Sequence, residues 1–311
     1  MRALVDVDAV TTLVEHVAAT VVAPRFRALV AGDVGEKGPG DLVTVVDHAA
    51  EEVLTAGLAA IAPGVPVIGE EAASADPALL DLLTTAPAVW VVDPLDGTRA
   101  FVEGSPDYAV MVGLVVGGEP VAGWIRLPEH DVTLVAERGS GVLHNGAPLG
   151  PVARPAVPRM LVAARYLPDD VRAGLAARLA SGHGEGPDAT GGTGGAGGTG
   201  GTGGTGGTVL VDTLWSGREY SRVVLGEADA MLAWRTLPWD HAPGVAIVRE
   251  AGGVARRLDG SEYRPQAPEH GLLVAADARV ADGLARSLAL DELIGLTRGH
   301  RSRPAQPPDR R

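Results

Sequence analysis

Trp90-Val91-Val92-Asp93-Pro94-Leu95-Asp96-Gly97-Thr98 decides the reading of this chain, because an apolar strand runs straight into two carboxylates, a glycine turn and a hydroxyl. Residues Ala88 to Val92 are apolar on both faces, the pattern of a strand buried inside a covered sheet. Pro94 has no N–H to offer a neighbouring strand, so pairing is expected to stop there. Asp93, Asp96 and the backbone carbonyl of Leu95 would then lie at the C-terminal edge of a sheet, where open α/β sheets bind ligands. Asp-Gly and Asp-Pro are also ordinary turn dipeptides, and alone the segment reads as a turn as readily as a site.

Two further acidic stretches change that balance. The short apolar run Val65 to Ile68 ends in Gly69-Glu70-Glu71, a second strand delivering carboxylates at its end. Leu237-Pro238-Trp239-Asp240-His241-Ala242-Pro243-Gly244 opens an apolar helix with Asp240 at or near its N-cap, where Asp commonly serves as a cap. Carboxylate and carbonyl oxygens select hard cations, which points to Mg²⁺, with Mn²⁺ as a substitute. A phosphate monoester is a dianion that bare carboxylates would repel. Its hydrolysis needs that charge neutralised, the leaving alkoxide stabilised and a water made nucleophilic, tasks that paired divalent ions perform together. One carboxylate must bridge two such ions, and Asp93 is best placed for it.

Glu70-Glu71, then Asp93-Pro94-Leu95-Asp96-Gly97-Thr98, then Trp239-Asp240 followed by Glu250-Ala251-Gly252-Gly253, resembles the inositol monophosphatase family of magnesium-dependent, lithium-sensitive phosphatases. Upstream, Lys37 and the segment Asp41-Leu42-Val43-Thr44-Val45-Val46-Asp47 match the family's Asp-x-Val-Thr-x-x-Asp pattern. The resemblance implies a layered αβαβα sandwich of the sugar-phosphatase type, of mixed α/β class. It implies metal ligation by Glu70, Asp93, the Leu95 carbonyl, Asp96 and Asp240, with two or three Mg²⁺ ions. Glu70 would also orient the attacking water, or Thr98 activated through Asp47 would do so. Asp96 and the amides of Gly97 and Thr98 would meet the substrate, with Arg235 as a further contact. Thr98 and Asp47 read otherwise as a helix cap and its partner.

The activity implied is a phosphomonoesterase acting on a small phosphorylated metabolite through metal-activated water. Inositol phosphates, fructose 1,6-bisphosphate, histidinol phosphate and 3′-phosphoadenosine nucleotides are the candidate substrates. A non-catalytic metal- or phosphate-binding interaction protein is the alternative of another class. Inositol-specific members carry an acid shortly before Trp-Asp, where this chain has Ala233, followed by Trp234 and Arg235. Those two offer a stacking face and a cation, or a strand-end aromatic and a solvated arginine. Homodimers are usual in the family.

Some residues near the motifs are read as bystanders. Glu71 is expected to point away from Glu70 on an extended chain as a solvated glutamate. Lys37 is expected in a flexible turn, Gly35 to Gly40, as a solvated lysine. His241 forms no metal spacing with the other histidines and is discounted as a ligand.

A chain of 311 residues, 46% of them hydrophobic, can bury a large core, in one large domain or two compact ones. A net charge of −13 argues against nucleic-acid polymers and acidic membranes as partners. The chain has 0 cysteines, which excludes disulfides and thiol catalysis. Neither a long apolar run nor a basic-then-apolar amino terminus is evident, so a cytoplasmic location is expected.

Val10, Leu13, Val14, Val17, Ala18 and Val21 form one helical stripe, and Ala49, Ala50, Val53, Leu54, Leu58 and Ile61 another. Tyr108 to Val116 and Val121 to Leu127 flank Gly117-Gly118 as a hairpin. Residues 1–150 thus read as an N-terminal part holding most metal ligands, a sheet with two helices packed on it. Residues 151–298, carrying Asp240, alternate strand and helix as an α/β layer. A Gly/Thr-rich stretch at 189–208 reads as a disordered loop and 299–311 as a disordered tail.

Overall fold

The computed structural model describes residues 5–38, 40–156, 158–163, 167–180, 208–211, 215–267 and 271–288. Asp6 accepts the amide N–H of Ala9 and caps α1 (Val7–Val17), whose Val10, Val14 and Val17 recur at helical spacing and are all buried. A π-helical turn, Ala18–Val22, extends that stripe with Ala18 and Val22. By length and composition the run Val7–Arg25 could cross a membrane. Here its buried side chains pack into a core with Trp90, Val92 and Trp124.

A hairpin of β1 (Val34–Gly38) and β2 (Asp41–Thr44) leads into α2 (Val45–Ile61). Thr44 and Asp47 form a capping box at the start of α2, each side chain satisfying the other's end of the helix. Then come β3 (Val67–Gly69), α3 (Glu70–Ala75), α4 (Leu82–Thr85), β4 (Ala88–Asp96) and α5 (Thr98–Glu103). The chain continues through β5 (Ala109–Val116), β6 (Glu119–Leu127), β7 (Val132–Glu137), β8 (Val142–His144) and β9 (Ala147–Pro148). These make a 7-stranded sheet ordered β3-β4-β5-β6-β7-β8-β9, parallel only between β3 and β4. Pairing does not end at Pro94. Asp93 lies opposite Met111 and Asp96 opposite Ala109, so β4 carries one extra residue there, and Pro94 sits in that bulge.

The second half supplies β10 (Met160–Ala163), α6 (Asp169–Ala180), β11 (Thr208–Val211), α7 (Ser216–Leu225) and β12 (Ala230–Ala233). It ends with α8 (Pro238–Glu250), β13 (Val254–Arg257), β14 (Leu272–Ala275) and α9 (Ala278–Ser287). Its 5-stranded sheet runs β11-β10-β12-β14-β13, with β14 antiparallel to both neighbours. Positions 189–207 and 299–311, read above as loop and tail, lie outside the described residues, and Thr208 already belongs to β11.

The layers follow from the buried clusters. α1 and α2 cover one face of the larger sheet, α7 and α8 lie between the two sheets, and α6 and α9 cover the far face of the smaller one. The result is the expected αβαβα sandwich. α8 approaches the larger sheet closely because Gly113 and Gly123 are cross-strand partners on β5 and β6, directly under Pro243. A Cβ at Gly123 would collide with the Pro243 carbonyl, so only glycine admits the helix there.

Candidate active site

Three carboxylates from three elements converge: Glu70 at the start of α3, Asp93 near the end of β4 and Asp240 in the first turn of α8. One oxygen of each lies within 4.8 Å of the others. Pro238 occupies the first position of α8, so Asp240 sits inside the first turn and not at the cap, which is Leu237. Burial, together with Glu70, Asp96 and Asp240, pushes the Asp93 carboxyl well above its ordinary range. Burial and Glu70 push Asp240 up to about 8, against an opposing pull from Arg235. Such a cluster stores repulsion that a cation would relieve.

Asp96 lines the same cavity but stands outside this set of three. Its oxygens accept the amide N–H groups of Ser216, at 3.1 Å, and Gly217, at 2.8 Å, at the start of α7. Each oxygen keeps a second lone pair for a ligand. Burial raises the Asp96 carboxyl to about 7, although these two amides pull the other way.

Two of the three residues discounted in the sequence, Lys37 and Glu71, join the acidic cluster's network. β3 stops at Gly69, so Glu70 and Glu71 begin a helix and share a side instead of alternating on an extended chain. Lys37, on strand β1 and not in a flexible turn, donates to Glu70 at 2.7 Å and to Glu71 at 2.8 Å. Glu71 is buried at 6% exposure, against its reading as a solvated residue. Burial raises it to about 7, with Lys37 opposing. Burial would lower the Lys37 ammonium, but Glu70 and Glu71 outweigh it and hold the lysine above its ordinary value. Glu51, unremarked in the sequence, accepts the amides of Glu71 and Ala72, both at 2.8 Å, and so fixes the start of α3. Its carboxylate fills the space where any side chain at position 69 would stand. The available signal was a glutamate interrupting the apolar stripe Val46, Ala50, Leu54 of α2.

Thr98 Oγ1 lies 2.9 Å from Asp47 Oδ1 and 3.0 Å from the Leu95 carbonyl, two acceptors for its single proton. Asp47 also accepts the Thr44 amide at 2.8 Å and hydroxyl at 2.6 Å, so it caps α2 and holds Thr98 at once. Burial raises the Asp47 carboxyl despite these donors. Gly97 adopts φ +81° and a Cβ there would press on the Asp107 carbonyl, which is why a glycine precedes α5. Gly97 and Thr98 face the same cavity as the acids.

The same cavity is also lined by Leu42, Ala163, Trp215, Ala233, Trp234 and Arg235. Trp234 is mostly packed into the outer core of the smaller sheet, and Arg235 is half-buried, so neither is a freely solvated group. His241 is buried between Tyr220 and the Arg235 carbonyl, with both ring nitrogens engaged, and is no metal ligand. Burial lowers its imidazole to about 4.

The donor set fits a hard divalent cation: hard carboxylate oxygens, at least partly buried and mutually repelling, with Lys37 offsetting only part of their charge. Beside them stand a held hydroxyl and the start of a helix, the groups needed to orient a water and an anion.

A model of the inositol monophosphatase family matches residues 4–291. The chain is 32% identical over 259 residues to a probable inositol 1-monophosphatase ImpA of Mycobacterium tuberculosis, covering 82% of this chain and 87% of that protein. It is 27% identical over 223 residues to a fructose-1,6-bisphosphatase/inositol-1-monophosphatase of Thermotoga maritima, covering 71% and 73%. Its fold superposes on a solved Thermotoga maritima IMPase with a TM-score of 0.68 at 22% identity, over 93% of this chain and 98% of that one.

Proposed function

The chain belongs to the inositol monophosphatase family and is a phosphomonoesterase, and from that premise we propose that it hydrolyses small phosphorylated metabolites with magnesium held by Glu70, Asp93 and Asp240. The observation that carries this is the approach of those three carboxylates to within 4.8 Å of one another, beside Thr98 and Asp47. The Leu95 carbonyl and Asp96 complete the donor set, for two or three ions in all, and manganese suits the same oxygens. When bound, the ions neutralise the phosphate dianion and the developing alkoxide. Glu70, or Thr98 held by Asp47, orients the attacking water. Gly97 and Thr98 seat the phosphate at the start of α5. On this reading residues 1–150 supply Glu70, Asp93 and Asp96, and residues 151–298 add Asp240.

Substrate choice falls to the cavity residues beside the acids. Ala233 offers no carboxylate to ring hydroxyls, while Arg235 brings a cation to the cavity edge. The deciding assay is phosphate release from inositol 1-phosphate, fructose 1,6-bisphosphate, histidinol phosphate and adenosine 3′,5′-bisphosphate, with magnesium and with EDTA. Magnesium-dependent turnover of at least one ester is expected. Silence across esters, or turnover indifferent to EDTA, overturns the metal assignment. A homodimer rests on the resemblance and a cytoplasmic location on the sequence pattern, and size-exclusion chromatography with light scattering tests the dimer.

A further inference from the structure

We infer that Tyr220 and His241 form a buried hydrogen-bonded pair that positions the Arg235 backbone and thereby sets the reach of Arg235 into the active site. Both are almost wholly buried, Tyr220 at 0% and His241 at 1% exposure. His241 Nε2 lies 3.0 Å from the Arg235 carbonyl, which can only accept, so Nε2 carries the proton. The neutral ring then presents Nδ1 as an acceptor, and the Tyr220 hydroxyl donates to it across 3.0 Å. The chain of donors therefore runs from α7 through α8 to the loop between β12 and α8, in one direction.

Packing locks each member. The Tyr220 ring lies against Gly244, where any Cβ would penetrate it. Tyr220 and Tyr263 meet the imidazole edge-on, with centroids at 5.9 Å and 6.3 Å. These contacts hold the plane of the imidazole, and its two hydrogen bonds fix which nitrogen faces which partner. The loop it holds is short, from Ala233 at the end of β12 to Pro238 at the start of α8. Arg235 lines the cavity from that loop, and Asp240 follows it within the first turn of α8. Tyr220 and His241 are positioning residues for a substrate-contacting arginine, and this consequence for turnover rests on the phosphomonoesterase reading.

The test uses the full chain with magnesium and the best ester from the panel. Tyr220→Phe, which keeps the ring and removes the donor, is expected to raise KM about fivefold to tenfold, the effect of one hydrogen bond, with kcat within about twofold. In an Arg235→Ala background the same change should leave KM unmoved, since the two act through one contact. An equal effect in both backgrounds, or no effect in either, overturns the proposal. Nitrogen-15 spectra of the His241 ring provide a readout that needs no turnover. A protonated Nε2 and a hydrogen-bonded, unprotonated Nδ1 are expected; Tyr220→Phe should keep the proton on Nε2 and shift only the Nδ1 resonance as its bond is lost, and a protonated Nδ1 in the wild type also overturns the pair. If the wild type hydrolyses nothing, the phosphatase reading fails, while the ring spectra still decide the pair.

Discussion

Replacing Asp93 by asparagine removes an ionisable carboxyl from the cluster it forms with Glu70 and Asp240, and it should stabilise the metal-free protein while abolishing turnover. Two unit charges 4.8 Å apart repel by about 3.5 kcal/mol at an effective dielectric of ~20. Asp93 faces both Glu70 and Asp240 at that range, and it escapes the repulsion by keeping its proton. A carboxyl whose folded pKa is raised holds a proton that the unfolded chain releases above 3.8. The folded state therefore loses stability as the pH rises above ~4, at up to about 1.4 kcal/mol per pH unit, until Asp93 itself ionises. Asparagine carries no such penalty, and its side-chain carbonyl can still accept the Leu95 amide that Asp93 Oδ1 accepts at 3.1 Å. In EDTA, Asp93→Asn should melt above the wild type by about 5 to 10 °C at pH 7, with a gap that shrinks toward pH 5. Magnesium should reverse the order, raising the wild type and leaving the variant unmoved. Melting curves in both conditions from pH 5 to 8 suffice. A variant that melts at or below the wild type throughout in EDTA refutes the repulsive cluster.

Magnesium binding at pH 7 should release at least one proton per chain, because Asp240, raised by burial and Glu70 to about 8, must give up its proton. Calorimetry in Pipes and in Tris reads this as different apparent enthalpies, and equal heats would contradict it. Thr98→Ala should lower kcat by roughly 100-fold or more while Thr98→Ser retains most activity, as expected for a hydroxyl that orients a water. An alanine variant within threefold of the wild type assigns the role to Glu70. Gly123→Ala should cost about 2 kcal/mol or more in urea unfolding, since its Cβ would strike the Pro243 backbone carbonyl, which has no room to retreat. A variant as stable as the wild type would mean that α8 does not sit this close to β6.

The parts of the site that the sequence disclosed are those whose atoms are neighbours along the chain. Asp93, Leu95, Asp96, Gly97 and Thr98 form one strand-to-helix turn, and the Thr44–Asp47 capping box spans four consecutive residues of the chain. Lys37 and Glu71 were misread because their meaning lies in an ion pair between residues 34 apart in sequence, and because a helix begins at Glu70 where an extended chain was expected. No local pattern distinguishes a lysine that reaches back over an acidic cluster from one that reaches into water. Asp96 shows the same limit: its type and position were legible, but its partners are amides 120 and 121 residues away.

By itself the sequence determined the chemistry of this protein: which oxygens are available, that they end strands and open helices, and that no cysteine thiolate competes for a metal. These follow from residue types and short-range backbone rules, which need no knowledge of the rest of the fold. Only the tertiary structure decided which carboxylates meet. Glu70, Asp93 and Asp240 converge because α8 settles onto the Gly113–Gly123 pair and because Glu51 fixes the start of α3. It also decided that His241 faces Tyr220 and the Arg235 carbonyl in place of a metal. Distances between residues far apart in sequence are set by the packing of whole layers, and packing is a property of all the side chains in a layer at once.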